Sequence, residues 1–248
     1  MVLVALAVWP AAAAPARWRP AADVTWQVQF SGRPDMSMDA DVFDLDLFDT
    51  TAAAVADLHA SGRRVICYIN AGAWESWRPD AGRYPRTVKG KKLEGWPGER
   101  WLDIRRLDVL GPILEDRLDL CRARGFDGVE FDNVNGYTNP TGFALRRADQ
   151  LAFNRWLAAQ AHDRGLAVGL KNTLELAEEL EPDFDFAILE QCFFYRECGL
   201  AGPFIDAGKT VLDIEYDLAR RRFCDRAADL GITAMRKHLD LDAWRRPC

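Results

Sequence analysis

The sequence predicts a single-domain α/β fold, a (β/α)8 barrel. Three observations carry this expectation. Short apolar runs of strand length alternate with longer amphipathic stretches along nearly the whole chain. Glycine follows several of the amphipathic stretches, the position that favours a left-handed C-terminal cap. Eight strand-like runs fit within about 230 residues, the size of a closed barrel of βα units.

The elements follow in order. Residues 26–30 form the first apolar run. Residues 42–48 alternate apolar and acidic side chains and lead into a helical stretch, 50–61, that stops at Gly62. A β-branched run occupies 64–69. A helix at 110–124 closes at Gly125 and leads into the fourth run, 128–134. A strong helix at 149–164 ends at Gly165, before the fifth run, 167–170. A helix at 174–180 separates this from the sixth run, 186–191. The seventh run is 210–215. A helix at 218–230 closes at Gly231, and 232–236 is the eighth run. Repeated βα units imply a parallel sheet, because parallel strands need long crossovers. An open doubly wound sheet competes with the barrel, but Phe30-Ser-Gly-Arg-Pro34 after the first run is no Gly-rich phosphate loop. The stretch 71–106 carries Trp74, Trp77, Trp96 and Trp101. A loop of that length in a compact domain is usually functional. Trp26 reads as core, and Trp156, on a helix, as packing against the barrel.

Composition narrows the class. With 49% hydrophobic and 28% charged residues the 248-residue chain can bury a core and does not resemble a disordered one. A formal net charge of −6 argues against a nucleic-acid partner. The opening MVLVALAVWPAAAA is uncharged and apolar but too short to span a bilayer. With small residues at 12–16 it reads as a signal peptide, 1–16, lacking a basic start, ahead of a barrel domain at 17–248. The expected location is extracellular or periplasmic, with no membrane association after cleavage, and a monomer is expected. Cys67, Cys121, Cys192, Cys198, Cys224 and Cys248 make an even set, which in an exported chain suggests three disulfides with fifteen possible pairings. No CxxC pair occurs, and His59, His162 and His238 lack ligand spacing, so no metal or other cofactor is expected.

In such a barrel the active site lies at the C-terminal strand ends. Those ends carry Asp44, Asp46 and Asp49 on the second strand, Tyr68 and Asn70 on the third, and Glu130, Asp132, Asn133 and Asn135 on the fourth. The fifth carries Lys171 and Asn172, the sixth Glu190 and Gln191, the seventh Glu215 and Tyr216, and the eighth Arg236 and Lys237. Glycoside hydrolysis needs two carboxyl groups flanking the scissile bond, one to protonate the leaving oxygen and one to attack or to activate water. Carboxylates from the fourth and sixth strands face each other across such a mouth. Any one acidic strand end is as readily a rim ion pair, but several converging beside tryptophans favour a sugar site. The histidine positions offer no Ser–His–Asp arrangement.

The segments Val65-Ile-Cys-Tyr-Ile-Asn-Ala-Gly72, Trp96-Pro-Gly-Glu-Arg-Trp-Leu-Asp103 and Gly125-Phe-Asp-Gly-Val-Glu-Phe-Asp-Asn-Val-Asn-Gly-Tyr137 resemble glycoside hydrolase family 114. So do Gly169-Leu-Lys-Asn172, Glu190-Gln-Cys-Phe193, Glu215-Tyr216 and Lys237-His-Leu-Asp-Leu-Asp-Ala-Trp244. Seven blocks in order, from about Trp26 to Cys248, make the resemblance specific. It implies a TIM barrel with endo-α-1,4-polygalactosaminidase activity on a galactosamine-rich exopolysaccharide, as in a biofilm matrix. It implies Asp132 and Glu190 as the catalytic pair. Phe131-Asp132-Asn133 is similar to the nucleophile strand of the retaining α-galactosidase clan, which suggests Asp132 as nucleophile and Glu190 as acid/base. The resemblance also implies the disulfides Cys192–Cys198 and Cys224–Cys248, leaving Cys67 with Cys121. Substrate contacts are expected from Asp44, Asp46, Tyr68, Glu75, Trp77, Trp96, Asn133, Lys171, Asn172, Glu215 and Tyr216. The acidic members among these favour a protonated amine. Two positions depart from the family: Asn135 stands where an acidic residue is common, and Leu189 where Asn is common. Two alternatives stay open, a related α-glycosidase on a neutral sugar and a catalytically inactive carbohydrate-binding barrel.

Overall fold

A computed structural model describes residues 17–248; the segment expected as a signal peptide, 1–16, lies outside the described residues. Eight parallel strands lie in sequential order: β1 (Trp26–Gln29), β2 (Val42–Asp46), β3 (Arg64–Asn70), β4 (Gly128–Asp132), β5 (Ala167–Lys171), β6 (Phe186–Glu190), β7 (Val211–Glu215) and β8 (Ile232–Lys237). Each lies within two residues of the bounds expected from its apolar run. The helices are α1 (Ala52–Ala60), α2 (Leu107–Arg124), α3 (Arg147–Asp163), α4 (Ala177–Leu180), α5 (Cys192–Tyr195), α6 (Gly202–Asp206) and α7 (Cys224–Leu230). The fold is a (β/α)8 barrel. The Thr51 hydroxyl caps α1 by accepting from Ala54 N, and Gly125, at φ 90°, closes α2. The expected helices at 174–180 and 218–230 are shorter, each opening with a 3-10 turn. No helix lies between β1 and β2.

Strand alternation sorts the buried side chains into two cores. Inside the barrel, Trp26, Val28, Ile66, Phe186, Ile188, Ile214 and Met235 fill the floor. Outside it, Phe43, Leu45, Ile69, Phe131, Leu170 and Leu189 pack with Leu110, Leu114 and Leu118 of α2 and with Phe153 and Leu157 of α3. Each fully buried side chain of this size contributes roughly 1.5–3 kcal/mol. Leu189 therefore faces the helices, as alternation requires of a residue next to Glu190. Trp156 packs at the edge of the outer core, stacked on Phe153.

The barrel seam differs from an all-parallel closure. Among the described residues β8 and β1 share no ladder; the C-terminal segment fills the gap. Its strand Arg245–Pro247 runs antiparallel to β8. Gln27 Nε2 donates to Ala243 O at 2.9 Å, Phe30 N to Leu241 O at 2.9 Å, and the Arg245 guanidinium to Trp26 O. Lys237 is consequently no mouth residue. It is buried in the seam, donating to Gln27 Oε1 at 3.2 Å, and burial lowers its ammonium to about 8.

The stretch 71–106 is not a bare loop either. It forms an antiparallel sheet of Ala73–Glu75, Glu99–Leu102 and Lys89–Lys92, with Glu99–Leu102 in the centre. Trp101 is buried, and Trp74 is partly buried with its indole donating to Ala81 O at 3.0 Å. Both are packing residues. No helix among the described residues is long and apolar enough to cross a membrane.

All six cysteines are paired: Cys67–Cys121 ties β3 to α2, Cys192–Cys198 closes the segment after β6, and Cys224–Cys248 fastens the tail to α7. The bridged residues lie 54, 6 and 24 positions apart. Loop-closure entropy then ranks their contributions at roughly 4, 2.5 and 3.5 kcal/mol. We predict that paired Cys→Ala replacements lower the urea midpoint in that order, Cys67/Cys121 most and Cys192/Cys198 least. Non-reducing peptide maps that find other pairs in the wild-type chain would overturn the ranking at its root.

Candidate active site

The cleft at the C-terminal strand ends has a volume of about 390 Å³. Three strands deliver their last side chain to it by one device. Asn133, Asn172 and Gln191, the residues just past β4, β5 and β6, have φ of 60°, 44° and 59°. A left-handed residue turns the chain sharply away and leaves Asp132, Lys171 and Glu190 facing inward. Asn tolerates this conformation better than most residues; such backbone strain clusters at functional sites. Asn172 Oδ1 also accepts from Glu190 N at 2.9 Å, locking the ends of β5 and β6 together.

Lys171 is the hub. It is buried, donates to Glu130 Oε1 at 2.6 Å, and lies 3.6 Å from Asp132 Oδ1 and 3.8 Å from Glu190 Oε1. The sum of the last two distances limits these two oxygens to at most about 7.4 Å apart. Burial opposes the ammonium charge, but Glu130, Glu190 and Asp132 outweigh it and hold Lys171 protonated well above the ordinary lysine range. Each of these two mouth carboxylates has a tyrosine. Tyr68 OH donates to Asp132 Oδ2 at 2.9 Å, joined by Asn133 Nδ2 at 3.1 Å. Tyr216 OH donates to Glu190 Oε1 at 2.5 Å. Burial first, then the adjacent Asp132 and Glu190 charges, push both phenols up, so both remain donors. Asp132 has both oxygens engaged. Glu190 Oε2 makes no protein hydrogen bond among the described residues.

Several expected contacts stand elsewhere. Asp44 is fully buried two residues deeper than Asp46 on the same face of β2, and does not line the cleft. Burial, then Glu130, pushes its carboxyl well up; among the described residues neither of its oxygens nor Glu130 Oε2 has a hydrogen-bond partner. Glu215 also misses the cleft. Alternation along β7 puts Ile214 and Tyr216 inside the barrel and Glu215 outside, where its Oε1 accepts from Phe193 N at 2.8 Å and Phe194 N at 3.2 Å. It fixes the turn into α5.

Asp46 and Glu75 do line the cleft, but their charge is engaged by a residue the sequence did not flag. Arg78 donates to Asp46 through Nη1 at 2.8 Å and Nη2 at 2.5 Å, and to Glu75 Oε2 through Nε at 2.8 Å. Nothing in the spacing of 71–106 announces this triad, because the loop geometry alone creates it. Glu99, another cleft residue not anticipated, pairs with Asn70. The tryptophans divide: Trp77, 55% exposed, and Trp96, 48% exposed, line the cleft. Trp77 lies against Gly98, where a Cβ would stand 2.8 Å from its ring. The opposite rim comes from Leu239, Asp240 and Leu241 of the seam segment.

The family model for Glycoside-hydrolase family GH114 matches residues 7–248. No curated protein matches the sequence. Among solved structures, Ega3 of Aspergillus fumigatus, in complex with galactosamine, is similar at 36% identity and a TM-score of 0.90, covering 95% of this chain and 99% of that one. The glycoside hydrolase domain of PelA from Pseudomonas aeruginosa is similar in fold at 16% identity and a TM-score of 0.71, covering 89% and 97%. A Thermus thermophilus α-galactosidase in complex with stachyose shares the barrel at 14% identity and a TM-score of 0.53, covering 91% and 64%. Matched along nearly its whole length, the chain belongs to glycoside hydrolase family 114 and is a glycoside hydrolase.

Proposed function

We propose that the protein is a secreted, endo-acting enzyme that cleaves α-1,4-linked galactosamine-rich polysaccharide with retention, using Asp132 as nucleophile and Glu190 as acid/base. The observation that carries this reading is the asymmetry of the two carboxylates around Lys171. Asp132 faces Lys171, Tyr68 and Asn133, which engage both of its oxygens and hold the carboxylate in place at the mouth. Glu190 keeps Oε2 free to carry a proton toward the leaving oxygen. The limit of about 7.4 Å between their Lys171-facing oxygens admits the roughly 5–5.5 Å of a retaining pair. The bound galactosamine in the similar Ega3 structure points to the sugar. Three disulfides favour an oxidising compartment, and hence export.

In the first half-reaction Asp132 attacks the anomeric carbon while Glu190 gives its proton to the departing oxygen. In the second, Glu190 takes a proton from the water that breaks the Asp132 ester, restoring both groups. Lys171, within 4 Å of both carboxylates in the free enzyme, is placed to offset negative charge on either. Trp77 and Trp96 offer sugar-stacking faces along the cleft. Engagement of Asp46 and Glu75 by Arg78 favours a second reading, a neutral α-linked sugar, because these two charges are no longer free for an amine. Digestion of deacetylated against fully acetylated galactosamine polymer, with products read by mass, separates the two.

Two outcomes are expected. Glu190→Gln should lose about 10²–10⁴-fold in kcat on polymer but keep glycosyl-enzyme formation on a substrate with an activated leaving group. Asp132→Asn should be inactive on both and regain turnover with azide. Azide should give the β-glycosyl azide with Asp132→Asn and the α-glycosyl azide with Glu190→Gln; the opposite stereochemistry would reverse the roles. Trp77→Ala and Trp96→Ala should each raise KM on polymer about tenfold, the equivalent of about 1.4 kcal/mol, with kcat unchanged. An unaltered KM would remove the rings from the binding surface.

A further inference from the structure

The Arg78 triad leaves the cleft with a buried carboxyl group that no cation pairs with. Glu99 stands directly opposite Glu75 in the antiparallel ladder. Like charges in such a cross-strand pair are destabilising. Of the two, Arg78 pairs directly only with Glu75, through contacts of 2.8 and 2.7 Å. Glu99 is 7% exposed and lines the cleft. Its Oε2 accepts from Asn70 Nδ2 at 3.0 Å; among the described residues Oε1 has no donor and no lysine or arginine forms an ion pair with it. Asn70 Oδ1 in turn accepts from Asn133 Nδ2 at 3.1 Å, and that same amide reaches Asp132 Oδ2 at 3.1 Å. Two amide side chains thus join Glu99 to the proposed nucleophile. A carboxyl placed where it costs stability, with one oxygen left for the cleft, violates a local rule of stability in the way functional positions do.

We propose that Glu99 is the residue that selects the amine: its Oε1 receives the ammonium of the hexosamine unit bound beside Asp132, so that the free amine is preferred over its N-acetyl form. The inference rests on the galactosamine reading above and deepens it. Acetylation removes the charge and sets an acetyl group against a buried carboxyl, whereas a neutral hydroxyl gains only one hydrogen bond. Burial, then the Glu75 and Asp132 carboxylates, pushes the Glu99 carboxyl up to about 8, against the smaller effects of the Asn70 bond and Arg78. In the empty cleft Glu99 is therefore mostly protonated at neutral pH. Ammonium binding then breaks the Glu99 O–H bond, sends that proton to solvent and leaves an ammonium–carboxylate pair, the sugar keeping all its N–H bonds. Such binding tightens by up to about tenfold per pH unit as pH rises toward 8, and the gain ends where the amine loses its own proton.

The test is calorimetry of galactosamine on the whole chain at pH 6.5, in two buffers of different ionisation heat, with N-acetylgalactosamine as control. It is paired with kcat/KM on deacetylated and acetylated polymer. Wild type should release close to one proton per galactosamine and none with N-acetylgalactosamine. Glu99→Gln keeps the acceptor for Asn70 and replaces a buried ionisable carboxyl with a neutral amide of the same shape, so its thermal midpoint should be equal or higher. It should release no proton, bind galactosamine at least tenfold more weakly, and lower the deacetylated-to-acetylated ratio of kcat/KM by a similar factor. Equal loss on both polymers, an unchanged ratio, or proton release that persists in Glu99→Gln overturns the role of Glu99 and leaves the galactosamine reading intact. A wild-type enzyme that neither binds galactosamine nor cuts its polymer overturns both.

Discussion

The site depends on one buried ammonium. Asp44, Glu130, Asp132 and Glu190 converge on Lys171, and four carboxylates around one cation in a poorly solvated interior would be prohibitively charged if all were ionised. The structure resolves this from the bottom upward. Asp44, the deepest, has its carboxyl pushed well up by burial and by Glu130; Glu130 accepts directly from Lys171; the remaining positive field of Lys171 reaches the two carboxylates at the mouth. Both mouth carboxylates thus face the same cation. This arrangement is what the proposed exchange of acid and base roles would use. It holds only while the three strands keep register, with Phe131 beside Leu170 and Lys171 beside Ile188. A slip of one residue would turn all three side chains toward the helices.

How far this was legible in the sequence varies with the length scale of the cause. The eight strands were legible because each is a short apolar run bounded by turn residues, and α2, α3 and α7 because Gly125, Gly165 and Gly231 stop them in left-handed geometry. Asp132, Lys171 and Glu190 were legible as strand ends. Glu215 was not, since strand-end position without side-chain parity cannot tell the inside of a barrel from the outside, and β7 places Tyr216 inward. Asp44 failed for the complementary reason: its parity is right but its depth is wrong. The sheet within 71–106 escaped notice because its strands are three or four residues long, and Lys89–Lys92 has no apolar pattern at all. Arg78 and Glu99 owe their places to that sheet, so their roles were invisible with it.

The seam shows how barrel closure and cleft shape are the same problem. In place of a β8–β1 ladder, the chain inserts its own tail, and the polar contacts of Gln27 and Lys237 substitute for strand hydrogen bonds. The tail passes the mouth on its way, so Leu239, Asp240 and Leu241 wall the cleft before Arg245–Pro247 pairs with β8. Cys248 then anchors the end to α7. Closure by a covalently fastened tail lets the rim beside β1 be built from loop residues without surrendering the hydrogen bonds that a strand edge needs.

The opposite wall divides its acidic residues by a similar logic. Asp46 and Glu75 are buried, and a buried carboxylate pair needs a partner; Arg78 supplies a planar, permanently charged one that grips both and fixes the loop to β2. That rigid triad sets the position of the strand holding Glu99. A second arginine there would have made the wall electrostatically complete and indifferent to what enters. With Asn70 instead, Glu99 is oriented but has no fixed counter-charge, because an amide donor holds a carboxyl group in place without supplying a positive charge. The same amide then passes the constraint through Asn133 to Asp132. Glu99 and Asp132 are thereby linked through two side chains rather than through the backbone, so in the proposed role a sugar held by Glu99 would act on the hydrogen bonds of Asp132.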